Sequence, residues 1–361
     1  MPLTRLDITD FRNLAAITLE PLVTGFNFLY GMNGSGKTSL LEAIYYLSVG
    51  RSFRNCTSGR IIRHSTDKLL IFAHKKTNND QYVTLGLERK QHGALKIRIA
   101  NKDAQSIAEL ASLLPVQLMN ASCYSLLEGG PAYRRKFLDW GNFYLHVEFL
   151  RVWQDYNQAL TQRNAALRNG QPQKELVVWN QMLTEKAQRL DQLRQDFVNL
   201  LIPQLKTTVA ELISLPGLEL YYQRGWDEGE DYAAVLAASL DKDRYMGYTQ
   251  FGPHRADFKM KINQVDAKDI LSRGQQKLFV YAMILAQGAL LHRCTNKKPI
   301  YLIDDLPAEL DIVSRNNLIT LLSRQETQIF VTAVEREALS ENLCNLPVKM
   351  FHVEHGNVRS D

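Results

Sequence analysis

Gly31, Gly36, Lys37 and Thr38 stand in the spacing G-x-x-x-x-G-K-T within GMNGSGKT, residues 31–38. Small residues at those places let the backbone curl and turn its N–H groups towards phosphate oxygens. The Lys37 ammonium would then reach the terminal phosphates, and the Thr38 hydroxyl would ligate Mg2+. The candidate phosphate cradle is therefore Gly31, Met32, Asn33, Gly34, Ser35, Gly36, Lys37 and Thr38. A Gly-rich connection holding a lysine by accident is the plain alternative. A second stretch, KPIYLIDD at 298–305, is a short apolar run that stops on two carboxylates. A buried parallel strand looks like this where its C-terminal end opens onto a site. Asp304 would hold Mg2+ through water, and Asp305 is placed to orient or deprotonate an attacking water. A helix cap or a solvated strand end is the other reading of that pair. The third stretch, LSRGQQK at 271–277, offers a hydroxyl at Ser272 and bare backbone at Gly274 just ahead of a long apolar run. Those features suit a second anion site at a helix N-terminus, although an ordinary N-cap has the same look. Two phosphate-binding helix starts in one chain suggest two chains sandwiching two nucleotides.

These groups need elements to hold them. GFNFLY, 25–30, reads as a buried strand feeding the loop, and Leu40, Leu41, Ile44, Tyr45 and Leu47 recur at helical spacing after it. Strand, loop and helix is the order the chemistry requires, because the helix N-terminus adds the positive end of its dipole to the phosphate site. Up to about residue 115, short pieces such as VTLGLE and LKIRIA alternate apolar and polar residues as strands do. From about 140 the period becomes helical: Tyr144, Val147, Leu150, Trp153, Tyr156, Leu160 and Leu167, the turn NGQP at 169–172, then Trp179, Leu183, Ala187, Leu190, Leu193, Phe197 and Leu200. This predicts an antiparallel helical hairpin with arms of about 28 residues, ~42 Å each, whose apolar stripe is a packing seam. Strand-like alternation returns in LELYY and FKMKIN, and the chain closes with helix, strand, helix and strand.

With 361 residues, the chain exceeds the usual ~100 to 200 residues of one domain and suggests two lobes. The expected division is a split α/β head, 1–115 with 246–361, and a helical arm lobe, 116–245. MPLTRLDITDFRN carries charge throughout, unlike a signal peptide. LFVYAMILAQGALL, 278–291, is short for a membrane span and reads as a buried helix. A soluble, cytoplasmic protein with no membrane association is the expectation. Cys56, Cys123, Cys294 and Cys344 show no paired spacing, which argues against a zinc site and fits a reducing compartment. A net charge of +5 permits an acidic partner without demanding one.

Taken in order, GMNGSGKT, LSRGQ, LIDD and AELD, with a helical insertion between the first two, resemble the ATPase heads of the SMC and Rad50 class. Within that class the chain is most similar to the RecF family of bacterial recombination mediators. Supporting stretches are DFRNL (10–14), GRSFR (50–54), GGPAYRRKFLDW (129–140) and GPHRADF (252–258), so the resemblance covers nearly the whole chain. It implies an α/β, ABC-type P-loop ATPase head with an inserted helical arm lobe, and ATP and Mg2+ as cofactors. It further implies that Lys37 and Thr38 bind ATP and Mg2+, and that Asp304 and Asp305 serve hydrolysis. Ser272, Arg273, Gly274 and Gln275 would contact the γ-phosphate held by a partner subunit, and Asp311 would sit at the dimer seam. ATP would close a homodimer on single-stranded, linear or gapped duplex DNA, and slow hydrolysis would release it. RecR, and through it RecO and RecA, are the implied partners, in repair, replication and the SOS response at the nucleoid. The chain departs from the family pattern at NAS, 120–122, which leaves Gln117 as the switch candidate. It departs again at Ala333, where related ATPases often place a histidine, and at Pro307–Ala308 before Glu309. The departures bear on cross-dimer contacts and turnover, not on ATP binding.

Arg51, Arg54, Arg60 and Arg63 fall in a stretch without acidic residues, and Arg134 and Arg135 lead a second basic cluster. Arginines pair bidentately with phosphates and so give affinity without sequence reading. Each could equally brace the ATP site or a contact between lobes. A transporter ATPase subunit is disfavoured by the long insertion between Lys37 and LSRGQ and by the missing switch histidine. A small-molecule kinase or a nuclease-linked ATPase would need an acceptor pocket or a metal-nuclease domain, and neither signature is present.

Overall fold

A computed structural model describes residues 2–54, 58–77, 80–306, 310–336 and 346–361. Pro307, Ala308, Glu309, Cys56 and Cys344 lie outside the described residues. The elements, in chain order, begin with β1 (Leu3–Phe11), β2 (Leu14–Leu19), β3 (Gly25–Tyr30) and α1 (Lys37–Val49). Then come β4 (Lys68–Lys76), β5 (Tyr82–Lys90), β6 (Leu95–Ile99), β7 (Lys102–Asp103), α2 (Ile107–Leu113) and β8 (Val116–Met119). A helical stretch follows: α3 (Pro131–Leu145), α4 (Phe149–Arg168), α5 (Gln173–Leu212), β9 (Leu218–Gln223), α6 (Tyr232–Ala238) and α7 (Leu240–Met246). The chain ends with β10 (Asp257–Ile262), β11 (Val265–Asp266), α8 (Ala267–Ile270), α9 (Arg273–Thr295), β12 (Ile300–Ile303), α10 (Ile312–Arg324), β13 (Gln328–Ala333), β14 (Val348–Glu354) and β15 (Asn357–Ser360).

Two compact units result, Met1–Cys123 with Leu291–Asp361, and Tyr124–Leu290. The first holds two sheets. One is antiparallel in the order β2-β1-β4-β5-β6-β7, and its strands alternate buried and exposed residues, as the period of two in the sequence requires. In the other, β14, β3, β13, β12 and β8 run parallel and β15 is an antiparallel edge. Its strands β3, β12 and β13 are buried at nearly every position because both faces are covered. Helix α1 contributes Leu40, Leu41, Ile44 and Leu47 to one core with Leu6 and Ile8 of β1 and Leu302 and Phe330 of the parallel sheet. A helix buried this completely leaves little surface to solvent, and burial of each such apolar side chain contributes ~1.5–3 kcal/mol.

The second unit holds the predicted hairpin, with unequal arms: α4 has 20 residues and α5 has 40. Tyr144 belongs to α3, and the break that follows leaves Val147 wholly exposed. On the other side the helical period runs on through Leu201, Leu205, Val209 and Leu212, carrying α5 past Pro203. Phe149, Val152, Tyr156 and Ala159 of α4 meet Leu183, Ala187, Leu190 and Leu193 of α5, which makes the stripe a packing seam. The unit boundaries differ from the expected 115/116 and 245/246. Strand β8 pairs with β12 and so stays with the parallel sheet. Residues 246–290 join the helical unit because β10 pairs with β9, Phe258 opposite Tyr222. Among the described helices α9 alone is long and apolar enough to cross a membrane, yet 72% of that stretch is buried inside the protein, as in a core helix.

Buried ions organise the helical unit. Arg163 and Asp243 are both fully buried and pair at 2.7 Å. Asn180 and Thr249 take further guanidinium protons at 2.7 Å each. In GPHRADF, Pro253 accepts from Arg194 at 2.7 Å, and His254 is pushed down to about 4 by burial while it bonds Tyr156 at 2.6 Å. Asp243→Ala would leave the Arg163 charge without its counterion, and the expected loss is about 3–5 kcal/mol of stability in chemical denaturation. A change below about 1 kcal/mol would mean that the pair contributes little.

Candidate nucleotide site

Strand β3 ends at Tyr30, and the loop that follows turns at three glycines with positive φ: Gly31 (146°), Gly34 (80°) and Gly36 (120°). At Gly31 a Cβ would lie 2.1 Å from the Val353 carbonyl oxygen, so only glycine fits. The loop is tied down by Gly31 N–H, which donates to Val334 O at 3.2 Å, and by Gly356 N–H, which donates to Ser35 O at 2.8 Å. Helix α1 starts at Lys37 with Gly36 as its N-cap, no side-chain cap and no acidic residue in its first turn. Its first N–H groups thus lack the side-chain acceptor that usually satisfies them, an arrangement suited to an anion.

Lys37 Nζ folds back onto the loop and donates to Gly31 O at 2.6 Å and Met32 O at 2.9 Å. Burial lowers its pKa, and the nearby Asp305 and Asp304 act against that lowering. Asp304 follows β12, which is separated from β3 by β13 alone, so all three strands deliver their C-terminal ends to one edge. There Thr38 Oγ1 donates to Asp304 Oδ1 at 2.9 Å, and Thr332 Oγ1 donates to the same oxygen at 2.8 Å. Thr332 Oγ1 also accepts the Asp305 N–H at 2.8 Å. Asp305 is held at φ 57°, a left-handed backbone that aspartate tolerates better than most residues. Thr332 is the member that the sequence reading missed. Its signal was a lone hydroxyl near the end of the apolar run QIFVTA, beside the Ala333 that drew attention instead.

The donor set fits a triphosphate with Mg2+. The Thr38 hydroxyl and the Asp304 carboxylate are hard oxygen donors, and the Ser35 hydroxyl is buried in the loop without a hydrogen-bond partner. No described cluster of three His, Cys, Asp or Glu residues could hold a metal by itself. A Mg2+ here would depend on the phosphates for much of its shell.

The surrounding cleft, about 1180 Å3, is lined by the loop, Asp304, Asp305 and Thr332, and by Arg12, Arg54, Arg60 and Arg63. Three of the arginines read as DNA or ATP-site candidates therefore face the nucleotide cleft, while Arg51 is not among its lining residues. Arg134 and Arg135 belong to the helical unit and brace it. Arg134 pairs with Asp257 at 2.6 Å and donates to Gly129 O at 2.8 Å, and Arg135 donates to Ala256 O at 2.8 Å. Gln117 is buried in β8 at the level of Tyr301, two residues before the strand ends, and is not among the cleft-lining residues. The NAS stretch closes on itself, with Asn120 Oδ1 accepting from Ser122 N–H at 3.1 Å and from Ser122 Oγ at 2.7 Å.

Ser272, Arg273, Gly274 and Gln275 are all exposed at the start of α9. Ser272 N–H donates to Gln275 Oε1 at 3.0 Å, and Gln275 N–H reaches Ser272 Oγ at 3.4 Å, a reciprocal box that caps the helix. A Cβ on Gly274 would meet nothing within 4 Å. Asp311 caps α10 by accepting Ser314 N–H at 3.0 Å, and hydrogen bonding from the Ser314 side chain and backbone holds its carboxyl below the usual carboxylate range.

Over residues 2–359 the chain fits the sequence model of the RecF/RecN/SMC N terminal domain. It is 44% identical to the DNA replication and repair protein RecF of Pseudomonas aeruginosa (strain LESB58), with 99% of this chain and 97% of that protein covered. It is 42% identical to the RecF protein of Cellvibrio japonicus (strain Ueda107), with 99% of each covered. Among solved structures, the recombination mediator protein RecF with ATP, of the RecFOR pathway, superposes with a TM-score of 0.89 at 26% identity, covering 100% of this chain and 97% of that one. An Smc head bound to the C-winged helix domain of ScpA has a TM-score of 0.62 at 14% identity, with 100% and 97% covered, which shows a shared fold. The fold is thus an ABC-type, SMC/Rad50-like ATPase head carrying an inserted helical lobe.

Thr332→Val keeps the side-chain shape and removes the hydroxyl shared by both carboxylate residues. ATP turnover is expected to fall about 10- to 100-fold while ATP affinity stays within about 3-fold. Unchanged turnover in a steady-state phosphate-release assay would remove Thr332 from the hydrolytic machinery.

Proposed function

The chain belongs to the RecF/RecN/SMC N terminal domain family, and from that premise we propose that it is an ATP-gated, DNA-binding protein of recombinational repair. The observation that carries this reading is the meeting of Lys37, Thr38, Asp304 and Thr332 around one phosphate loop. Support comes from relatives named for DNA replication and repair and from a full-length structural neighbour solved with ATP.

In this reading the loop and the N-terminus of α1 bind the phosphates, and Lys37 moves from its carbonyl partners to the terminal phosphates. Mg2+, when bound, supplies charge neutralisation of those phosphates. Asp305 orients a water for in-line attack on the γ-phosphorus and takes its proton, and ADP leaves as the bond to the β-phosphate oxygen breaks. The exposed run Ser272–Gln275 meets the γ-phosphate of a second copy, and Asp311 lies at that seam. In its helix cap the Ser272 hydroxyl is an acceptor, so its own proton remains to be donated to a phosphate oxygen. ATP binding thereby closes a homodimer on DNA, and hydrolysis opens it. With Arg54, Arg60 and Arg63 assigned to the cleft, Arg51 is the member of that group left for the DNA backbone. Single-stranded DNA and gapped or linear duplexes are the proposed ligands. RecR, with RecO, is the proposed partner in loading RecA at gaps, in support of replication and the SOS response, within the cytoplasm at the nucleoid.

Light scattering without nucleotide, with ATP and with a slowly hydrolysed analogue tests the gate. A monomer that doubles in mass only with triphosphate is expected, and a mass indifferent to ATP would return the cleft to a simpler kinase or switch. Lys37→Ala is expected to lose nucleotide and pairing together, whereas Asp304→Asn keeps ATP and prolongs the dimer. Ser272→Arg is expected to bind ATP as a monomer and fail to pair, and normal pairing by that variant would remove the sandwich from the account.

Backbone recognition releases counterions, so DNA affinity is expected to fall by roughly 10-fold or more between about 50 and 200 mM salt. A flat salt dependence in fluorescence anisotropy would count against a DNA clamp.

A further inference from the structure

The cleft has a cationic wall that the phosphate loop does not build. Arg12, Arg54, Arg60 and Arg63 line it, and two of the four converge on one carboxylate, Glu42. Glu42 lies on α1 four residues after Thr38, so one helix face carries both, and it is fully buried. Its Oε1 accepts from Arg12 Nη2 at 2.7 Å and its Oε2 from Arg12 Nε at 3.1 Å, a bidentate pair. Ser52 Oγ donates to the same Oε1, and Arg54 Nε stands 3.7 Å from Oε2. The cluster closes on itself: Ser52 Oγ accepts the Arg54 N–H at 2.9 Å, and Arg12 Nη1 donates to the Arg60 carbonyl at 2.9 Å. The turn carrying Arg12 is strained, with Asp10 at φ 53° and Arg12 at φ 57°, both in the left-handed region. Backbone of that kind is costly and persists only where its surroundings over-determine it.

We propose that Glu42 is a positioning residue for the nucleotide, acting through Arg12 and Arg54, which it holds at the cleft wall before any phosphate arrives. This rests on the ATP reading of the cleft. Two physical effects follow from the arrangement. A free arginine carries rotamer entropy that a ligand must overcome, and a guanidinium already clamped by a buried carboxylate has lost it in advance. A single negative charge also cannot neutralise two guanidinium groups, so the wall keeps a net positive charge towards an incoming triphosphate. Glu42 thereby orders the wall without cancelling it.

Glu42→Gln keeps the side-chain volume and removes the charge. With the full chain, Mg2+ and a fluorescent ATP analogue, its Kd is expected to rise about 10-fold, the worth of one charge-assisted pair. Arg12→Gln is expected to weaken binding by a similar factor, and the double variant at most about 3-fold further, the share that Glu42 exerts through Arg54, because either change alone breaks the Glu42–Arg12 pair. A merely structural Glu42 would lower the melting temperature and leave the Kd of the folded protein in place, while additive losses would mean that it acts apart from Arg12. Either result overturns the proposal. Should Glu42→Gln fail to fold, Arg54→Gln, at a half-exposed position, is the second variant. Its Kd is expected to rise about 3-fold, and an unchanged Kd overturns the proposal. Lys37→Ala separates the two failures. Retained analogue binding there defeats the ATP reading itself, whereas lost binding there beside an unchanged Glu42→Gln defeats only the positioning role.

Discussion

Thr38 and Asp304 are 266 residues apart along the chain and share a hydrogen bond of 2.9 Å. That contact requires the parallel order β3-β13-β12, because only strands running the same way bring their C-terminal ends to a common edge. The intervening strand does more than separate the two. It places Thr332 where a single hydroxyl donates to one aspartate side chain and accepts the N–H of the next residue. The register of three buried strands thus sets the spacing of the catalytic candidates, and a slip of one residue would turn Thr332 to the opposite face.

Charge is handled in the same region by close pairing. Lys37 is buried beside two aspartates and rests on carbonyl oxygens of its own loop. Glu42, further along the same helix, is fully buried and sits against two arginines and a serine. Such groups are costly to desolvate singly and are tolerated where each finds partners of opposite sign. The outcome is a cleft whose walls are polar and ordered, which suits a highly charged ligand better than an apolar one.

The helical unit follows a different logic. Its seam is apolar, but its deepest points are ionic: Arg163 with Asp243, and Arg194 with Asp139 at 2.8 Å. Most of the basic and aromatic residues that make GGPAYRRKFLDW and GPHRADF conspicuous in the sequence are used inside this unit. Arg134 is spent on Asp257 and His254 on Tyr156 and Thr249. A basic cluster in a sequence therefore need not be a surface that meets an acidic partner.

Local chemistry was legible in the chain itself. A loop that must curl around phosphate needs glycine, lysine and threonine at set intervals, and GMNGSGKT has them. The buried strands, the long apolar helix α9 and the existence of the hairpin followed from apolar periodicity, since a period of two or of 3.6 is fixed by the backbone. The roles of Arg54, Arg60, Arg63, Arg134 and Arg135 were not legible, because a guanidinium reads the same in a sequence whether it faces a cleft or a buried carboxylate. Thr332 was missed and Gln117 preferred for a related reason: what matters is which residue stands at the sheet edge, and that depends on strand register. The hairpin arms came out unequal because an apolar stripe crosses a helix break at 146–148 and a proline at 203 without changing its period. Spacing along the chain thus decided which residues could bind phosphate. Only the tertiary structure decided which distant carboxylate, hydroxyl and arginine would join them, since those meetings depend on strand order and packing rather than on neighbours in sequence.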